Sequence, residues 1–287
     1  MHASLLARSV PAGGRRAVSI EELEGVTYGP YAYRTDPEKV GEYADIAGAE
    51  RSAETAPTSL AGALLFTVAP HLLSDPRARD ATASVIHGDQ SFTWHGPIPL
   101  GAELGVTGTV ARVRERGGVF FTVFELAVDL AGSKLLTGSS TFLMSGAGAA
   151  PGGGEPERAE PEPNVGSRSE VSGTIGDEAT LLGSFSASRA DLVRYAGASR
   201  DWNPIHWDHD AAVAAGLPGV VVHGLLQSAW VTEAAVRLGL RPSAARFRYR
   251  RPMGAGVEAR LTGARRGLGA ALELVDASGA FLTATFE

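Results

Sequence analysis

The sequence predicts an α+β protein made of two repeats, each with a long buried helix followed by a curved antiparallel sheet. Three observations lead to this fold class. Each half of the chain shows a capped helix start, an apolar helical stretch and then four strand-like runs. The segment 91–108 aligns with 246–263 at a constant offset and without gaps. A Gly/Pro/Glu-rich segment at 146–170 separates the two halves.

The N-terminal half begins with two predicted helices. Asp36 and Pro37 make a strong helix start, because aspartate caps the first turn and proline suits the first helical position. This helix is expected to run to about Ala44. The stretch 59–73 is apolar on almost every side, so it is predicted to be a buried helix that Pro70 ends or kinks.

Strands follow the helices in both halves. Val, Phe and Thr are frequent in the first set, and glycine-containing turns indicate an antiparallel meander. The first four strands are predicted at 84–95, 103–114, 119–130 and 134–145, and the last four at 245–251, 257–266, 270–276 and 280–286.

The C-terminal half repeats the helical pattern as well. Ser188 and Asp191 form a capping-box-like start, and Tyr195 follows that cap by seven residues, as Tyr43 follows Asp36. A long helix is predicted at 224–239. The conserved order of elements indicates a duplication. It is supported by six identical pairs in the aligned segments: Phe92/Phe247, Pro97/Pro252, Gly101/Gly256, Glu103/Glu258, Thr107/Thr262 and Gly108/Gly263.

Composition limits the class of protein. The chain has 287 residues, and its 44% hydrophobic content supports a real core. The longest apolar runs fall short of the roughly 18 residues that cross a bilayer. A net charge of −6 argues against nucleic-acid binding, and the lack of cysteine excludes disulfides and thiol catalysis. We expect a cytoplasmic protein, monomeric or homodimeric, that binds neither nucleic acid nor membrane.

Four segments are predicted along the chain. Residues 1–18 carry arginines and a Pro-Ala-Gly-Gly run and are expected to form a flexible tail. The first folded domain is placed at 19–145 and the second at 171–287. Between them, 146–170 is expected to be a flexible linker, since its composition buries too little apolar surface to offset the entropy of ordering.

The stretch 195–224 carries the candidate chemistry. It brings Asp201, Asn203 and His206 into close order, and Pro204 disfavours a regular helix there. A shaped loop that aims several polar side chains at one point is therefore predicted. The equivalent stretch of the N-terminal half lacks all three polar residues, so the sequence indicates one site per chain, in the second half.

The run Asp201-Trp-Asn-Pro-Ile-His206 resembles the signature of hydratase 2 and the MaoC-like dehydratases, and His223-Gly224 resembles their His-Gly element. The resemblance covers nearly the whole chain and implies a double-hotdog fold. By this resemblance, the first half is a degenerate MaoC-type N-terminal domain, which widens the acyl tunnel, and the second half is catalytic.

The resemblance implies a hydro-lyase that reversibly hydrates a 2-enoyl thioester to the (R)-3-hydroxyacyl thioester. Asp201 and His206 would share one water as acid and base, and the residues leave open which of them moves each proton. Asn203 would order the loop or bind the water or Asp201. The Gly224 N–H would bind the thioester oxygen. No metal or cofactor is implied beyond the coenzyme A or acyl carrier protein of the substrate.

Two other functions stay open. A hotdog thioesterase would place its carboxylate on or near the long helix, where the chain offers Glu233 and leaves the Asn-Pro-x-His frame unexplained. A non-catalytic acyl-thioester-binding subunit is the other alternative. The cluster from His206 to Asp210 could hold a metal, but the pattern favours a helix capped by Asp208 and closed by Gly216.

Further residues are candidates for substrate binding. Arg200 stands where the family has a glycine, so we expect either an altered loop or a side chain directed at phosphate, a substrate carboxylate or solvent. His223 either packs beneath the loop or takes a functional role. His71, His87 and His95, in the first half, are expected to be structural or exposed.

An arginine-rich patch lies near the C-terminus. Between positions 237 and 266 there are nine arginines and one acid. Arg246, Arg248 and Arg250 alternate along a predicted strand and so share one face. They could bind coenzyme A phosphates or an acidic carrier protein, or they could form a solvated outer face.

Overall fold

The computed structural model describes residues 19–146 and 168–287. The predicted tail and most of the predicted linker lie outside these residues. The helices are α1 (Pro37–Ala47), α2 (Ala61–Leu65), α3 (Ala69–Leu73), α4 (Arg189–Ser199), α5 (His209–Ala214) and α6 (Gly224–Arg237). The strands are β1 (Thr27–Arg34), β2 (Ser84–Trp94), β3 (Glu103–Arg116), β4 (Val119–Leu130), β5 (Ser133–Ser145), β6 (Thr180–Phe185), β7 (Ala244–Tyr249), β8 (Ala259–Arg266), β9 (Gly269–Asp276) and β10 (Gly279–Phe286).

All ten strands form one antiparallel sheet in the order β1-β3-β4-β5-β2-β7-β10-β9-β8-β6. The two halves meet at its centre, where β2 pairs with β7. In that pairing Gln90 lies opposite Phe247 and Phe92 lies opposite Ala245. In the repeat, Phe92 is equivalent to Phe247 and Gln90 is equivalent to Ala245. Exchanging the two halves therefore exchanges one of these cross-strand pairs with the other, which is the symmetry of a twofold dimer interface. The duplication predicted from the sequence is therefore confirmed.

Helix α6 lies against the inner face of the sheet and is buried along almost its whole length. Its Trp230 is fully buried, stacks on Phe185 with 5.3 Å between ring centroids, and donates a hydrogen bond to the Ile46 carbonyl. Helices α1 and α4 pack together through their equivalent tyrosines, Tyr43 and Tyr195. Both predicted helix starts are confirmed, with Asp36 capping α1 and a complete capping box at Ser188.

The helix predicted at 59–73 is the main departure within the first repeat. A 3₁₀ turn at Thr58–Leu60 leads into α2, and the chain leaves helical geometry after Leu65 before α3 begins. Pro70 does not cause this break, because it occupies the first turn of α3, where no N–H is required. The β-branched Thr67 and Val68 lie in the break, and such residues are weak helix formers.

Two strands were absent from the sequence prediction, β1 and β6. Both lie at the edges of the sheet, and most side chains of β1 are exposed. An edge strand alternates weakly and tolerates proline, as at Pro30, so it gives little periodic signal. Arg168 pairs with Phe185 of β6 in an isolated antiparallel bridge. Arg168 lies inside the stretch that was predicted to be linker. Among the described residues, every helix is too short or too polar to span a bilayer.

Glu233 joins the two halves beneath the sheet. Its carboxylate is buried and accepts a hydrogen bond of 2.8 Å from the Ser59 N–H, and burial raises the pKa of the Glu233 carboxyl. We expect Glu233→Ala to lower the free energy of unfolding by about 1–3 kcal/mol, because it leaves a buried N–H unpaired. Urea denaturation at pH 7 measures this. Glu233→Gln keeps an acceptor and should lose less than half as much; equal losses would contradict the proposed role of this hydrogen bond.

Candidate active site at the start of the long helix

The predicted loop is shaped by short hydrogen-bonded turns. Asp201 follows directly after α4, where its N–H donates to the Ser199 hydroxyl at 3.2 Å. Its Oδ1 in turn accepts the Asn203 N–H at 3.3 Å. Asn203 caps a 3₁₀ turn at Pro204–His206 through its own side-chain oxygen. These turns direct both Asp201 and His206 into the protein, where each is more than nine-tenths buried.

The conformation and contacts of Arg200 differ from what the sequence led us to expect. The residue itself takes the left-handed conformation that glycine favours, with φ of 66°, and closes α4 as its C-cap. Such a backbone costs an arginine about 1–2 kcal/mol. Its guanidinium lies over the Tyr33 ring, 5.1 Å from the centroid, instead of projecting only into solvent. This contact joins the loop to β1 of the first half.

The protonation states of the two central side chains follow from their surroundings. His206 Nδ1 lies 2.8 Å from the Val221 carbonyl, which can only accept, so Nδ1 carries the hydrogen and Nε2 holds the lone pair. Burial lowers the pKa of His206 to about 4. Burial raises the pKa of the Asp201 carboxyl to about 7. Near neutral pH the site therefore holds a neutral base beside a carboxyl group that is still partly protonated.

His223 contacts both Asp201 and His206 from the protein interior. Its ring stacks on His206 at 3.8 Å between centroids and 23° between planes, and Tyr195 meets it edge-on. Nε2 donates to the Asp201 backbone carbonyl at 3.2 Å. Burial holds the pKa of His223 well below its usual value, so the ring is neutral. Its buried Nδ1 has no hydrogen-bond partner among the described residues.

Asp201, His206 and His223 could in principle offer three ligands to a metal, since their donor atoms lie within 4.8 Å of one another. The stacked rings argue against a shared ion. Lone pairs lie in the plane of each imidazole, and the two nearly parallel planes do not converge on one point. The arrangement is better suited to proton transfer. Asp208 is the N-cap of α5, as expected, and accepts the Ala211 N–H.

The first turn of α6 supplies hydrogen-bond donors beside this cluster. Gly224 is its first residue, and the N-cap His223 makes no side-chain cap. The leading N–H groups have no partner within the helix and favour an oxyanion. A side chain at Gly224 would not fit, because its Cβ would lie 2.9 Å from the Tyr249 ring. The Tyr249 hydroxyl is held at 2.7 Å from the Ser228 hydroxyl.

The arginine patch lies apart from this cluster. Arg246 and Arg248 are exposed and alternate with Ala245 and Phe247, which are buried on the side of α6. The two arginines therefore point from the outer face of the sheet, and Arg248 pairs with Asp89 there at 2.8 Å. Arg250, just beyond β7, is also exposed. The structure thus brings Asp201, Asn203, His206, His223 and Gly224 together, and does not bring this patch to them.

Two further side chains at this site were not predicted from the sequence. Tyr249 and His87 lie on neighbouring strands and their rings approach to 5.0 Å between centroids. Alternation along β7 separates Tyr249 from the exposed arginines and could have placed it on the inner face. No sequence signal placed His87 there, because the pairing of β2 with β7 spans the two halves. Glu233, the carboxylate that a thioesterase would use, instead bonds to the Ser59 backbone.

Comparison with known proteins gives three findings. Residues 168–253 match the family model described as MaoC like domain. The chain is 31% identical over 141 residues to a UPF0336 protein of Clavibacter michiganensis, covering 44% of this chain and 95% of that protein. The crystal structure of HtdX from Mycobacterium tuberculosis is 26% identical in sequence and superimposes with a TM-score of 0.67. The match covers 91% of this chain and 98% of the HtdX chain.

The same comparison bears on the fold. A Mycobacterium tuberculosis protein described as having a double hotdog fold matches 93% of this chain and 97% of its own, with 11% identity and a TM-score of 0.57. The double-hotdog architecture expected from the sequence is confirmed.

Proposed function

Because this chain belongs to the MaoC-like dehydratase family and has the double-hotdog form, we propose that it reversibly hydrates a 2-enoyl thioester to the (R)-3-hydroxyacyl thioester. The observation that carries the proposal is that Asp201, a carboxyl group whose pKa burial raises to about 7, and His206, an imidazole whose pKa burial lowers to about 4, are buried together near the start of α6. Coenzyme A or an acyl carrier protein forms part of the substrate, and no further cofactor is required. Each chain holds one site, as monomer or homodimer.

The proposed hydration follows from these protonation states. His206 Nε2 takes a proton from a water molecule as the water oxygen bonds to C3 of the enoyl group. The electron pair of the C2–C3 bond moves toward the thioester, and C2 takes a proton from Asp201. His206 is then charged and Asp201 ionised, and return of one proton from His206 to Asp201 restores the site. Dehydration runs through the same steps in reverse.

Gly224 and Asn203 complete the proposed machinery. Negative charge develops on the thioester oxygen while C2 awaits its proton, and the N–H groups at the start of α6 are placed to bind an anionic oxygen. Asn203 orients the Asp201 carboxylate through its backbone N–H. His223 is assigned a positioning role, since it bonds to the Asp201 backbone and stacks on His206.

The remaining candidate residues are arginines, which are proposed to bind the coenzyme A or carrier-protein part of the substrate and not the reacting acyl group. Arg200 is exposed at the end of α4, near the loop, and is proposed to meet a carrier phosphate while it lies over Tyr33. Arg246, Arg248 and Arg250 are proposed to bind only the distal part of a carrier, because they lie on the outer face of the sheet.

Product analysis tests the proposed reaction. The protein is incubated with crotonyl-CoA and the products are separated by mass and on a chiral column. We expect a thioester one water heavier than the substrate, in the (R) configuration. Crotonate with free coenzyme A would indicate a thioesterase, and unchanged substrate with crotonyl-CoA and longer enoyl-CoAs would contradict hydration.

The pH profile separates the two possible assignments of acid and base. With Asp201 as the acid, kcat/KM is expected to fall as pH rises through about 7, where that carboxyl ionises. It should also fall as pH drops through about 4, where His206 becomes charged. The two values belong to an interacting pair. Activity that instead rises through pH 7 would show that the ionised Asp201 is the base.

A further inference from the structure

We infer that His87, from the half without the signature residues, is a substrate-binding residue of this site, and that its Nε2 forms a hydrogen bond with an uncharged polar atom of the bound acyl thioester. The inference rests on the proposed function and extends it. It assigns to the first half a direct contact with substrate in addition to its structural role.

The fold places His87 on the same side of the sheet as α6. The residue lies on β2, and a bulge between His87 and Asp89 shifts the pairing with β5 by one position. The ring lies 5.0 Å from the Phe142 ring and 5.0 Å from the Tyr249 ring, centroid to centroid. Phe142 is buried in the core, so His87 faces inward.

Contacts on both sides connect His87 with the proposed active site. Tyr249, which its ring approaches, packs against Gly224 at the start of α6. On β2, Val85 lies two residues before His87, and its carbonyl accepts a hydrogen bond of 3.4 Å from the Asn203 side chain. His87 is thus adjacent both to the donor side of the site and to the loop that holds Asp201 and His206.

The buried nitrogen is the observation that points to a ligand. Nε2 of His87 is buried and has no hydrogen-bond partner among the described residues. An unpaired buried nitrogen costs free energy that an aromatic hydrocarbon of similar shape would avoid. Two aromatic neighbours would accept phenylalanine at this position as well as histidine. The ring also interacts with the Gln90 side chain and the Asp89 backbone, but neither forms a hydrogen bond with Nε2, and a bound polar group would.

The chemistry of the ring limits what it can bind. Burial lowers the pKa of His87 to about 4, so the imidazole is neutral at physiological pH. A neutral ring does not select phosphate or carboxylate by charge. It forms a directional hydrogen bond to a neutral group, and an acyl thioester offers its carbonyl oxygen and, after hydration, its 3-hydroxyl.

Replacement of the ring nitrogens alone tests this inference. In His87→Phe the contacts with Tyr249 and Phe142 are kept, and the hydrogen bond to substrate is lost. We expect kcat/KM for crotonyl-CoA to fall by about tenfold or more, while the melting temperature stays equal to that of the wild type or rises. His87→Gln restores a hydrogen-bonding group and should recover part of the loss. His95→Phe, at an exposed histidine on the same half, is the matched control and should keep wild-type activity.

The outcomes are distinguishable. If wild-type protein hydrates no enoyl thioester, the proposed function fails before His87 is tested. If the wild type is active and His87→Phe is equally active, the inference is wrong. Loss of folding in both His87→Phe and His87→Leu would also overturn it, because it would show that the imidazole is required by the fold.

Discussion

His206→Ala is expected to lower kcat/KM for hydration of crotonyl-CoA by roughly 10²–10⁴-fold, the usual contribution of a positioned acid or base. The variant removes the Nε2 lone pair that accepts the proton of water. It also removes the Nδ1 bond to the Val221 carbonyl and the stacking on His223. Loss of absorbance of the conjugated enoyl thioester measures the rate.

Asp201→Asn is expected to lose activity on the same scale, because an amide cannot supply the proton to C2. Its stability provides the control. The folded-state pKa of Asp201 is raised to about 7. Burial of this carboxyl therefore lowers the free energy of unfolding increasingly as pH rises toward and through that value, because the ionised form is the one that burial disfavours. Asp201→Asn should therefore be at least as stable as wild type at pH 8. A large loss of stability would mean that the lost activity reflects unfolding.

Gly224→Ala is also expected to have a large effect. The added Cβ would lie 2.9 Å from Cε1 of Tyr249, and that ring is fixed by its hydroxyl bond to Ser228. Either the ring or the start of α6 must move, which shifts the N–H proposed to bind the thioester oxygen. We expect kcat/KM to fall by roughly 10²–10³-fold, the scale reported for loss of one oxyanion donor.

Tyr249→Ala combined with Gly224→Ala separates steric from chemical causes. Removal of the ring gives the new Cβ space, so the double variant should recover activity relative to Gly224→Ala. Wild-type activity in Gly224→Ala alone would contradict the proposed position of the thioester oxygen. The measurement is kcat/KM together with thermal unfolding.

Features set by local sequence were predictable. The caps at Asp36 and Ser188 satisfy exposed N–H groups within one helical turn, so their signal is contained in a few residues. The repeat was visible because the equivalent segments keep six identical residues at a constant offset. The loop at Asp201 was predictable because the short spacing to His206 brings the two side chains together through consecutive turns.

Features set by distant contacts were not predictable. His87 reaches the site only because β2 and β7 become neighbours, and no local pattern encodes that pairing. The sequence correctly placed Arg246 and Arg248 on one face, but the face itself is decided by which side α6 covers. The contact of Arg200 with Tyr33 was not predictable either, because it depends on the packing of β1 of the first half beside the end of α4.

The most direct test of the central claim measures hydration and hydrolysis in one reaction, with wild type, both single variants and the Asp201→Asn, His206→Ala double variant. Enoyl absorbance reports hydration, and a thiol reagent reports thioester cleavage. The account predicts loss of absorbance without thiol in the wild type. It predicts a loss of rate in the double variant close to that of the worse single variant, because His206 and Asp201 act together in one addition of water across C2 and C3. Thiol release by the wild type, or wild-type hydration by the double variant, would contradict it.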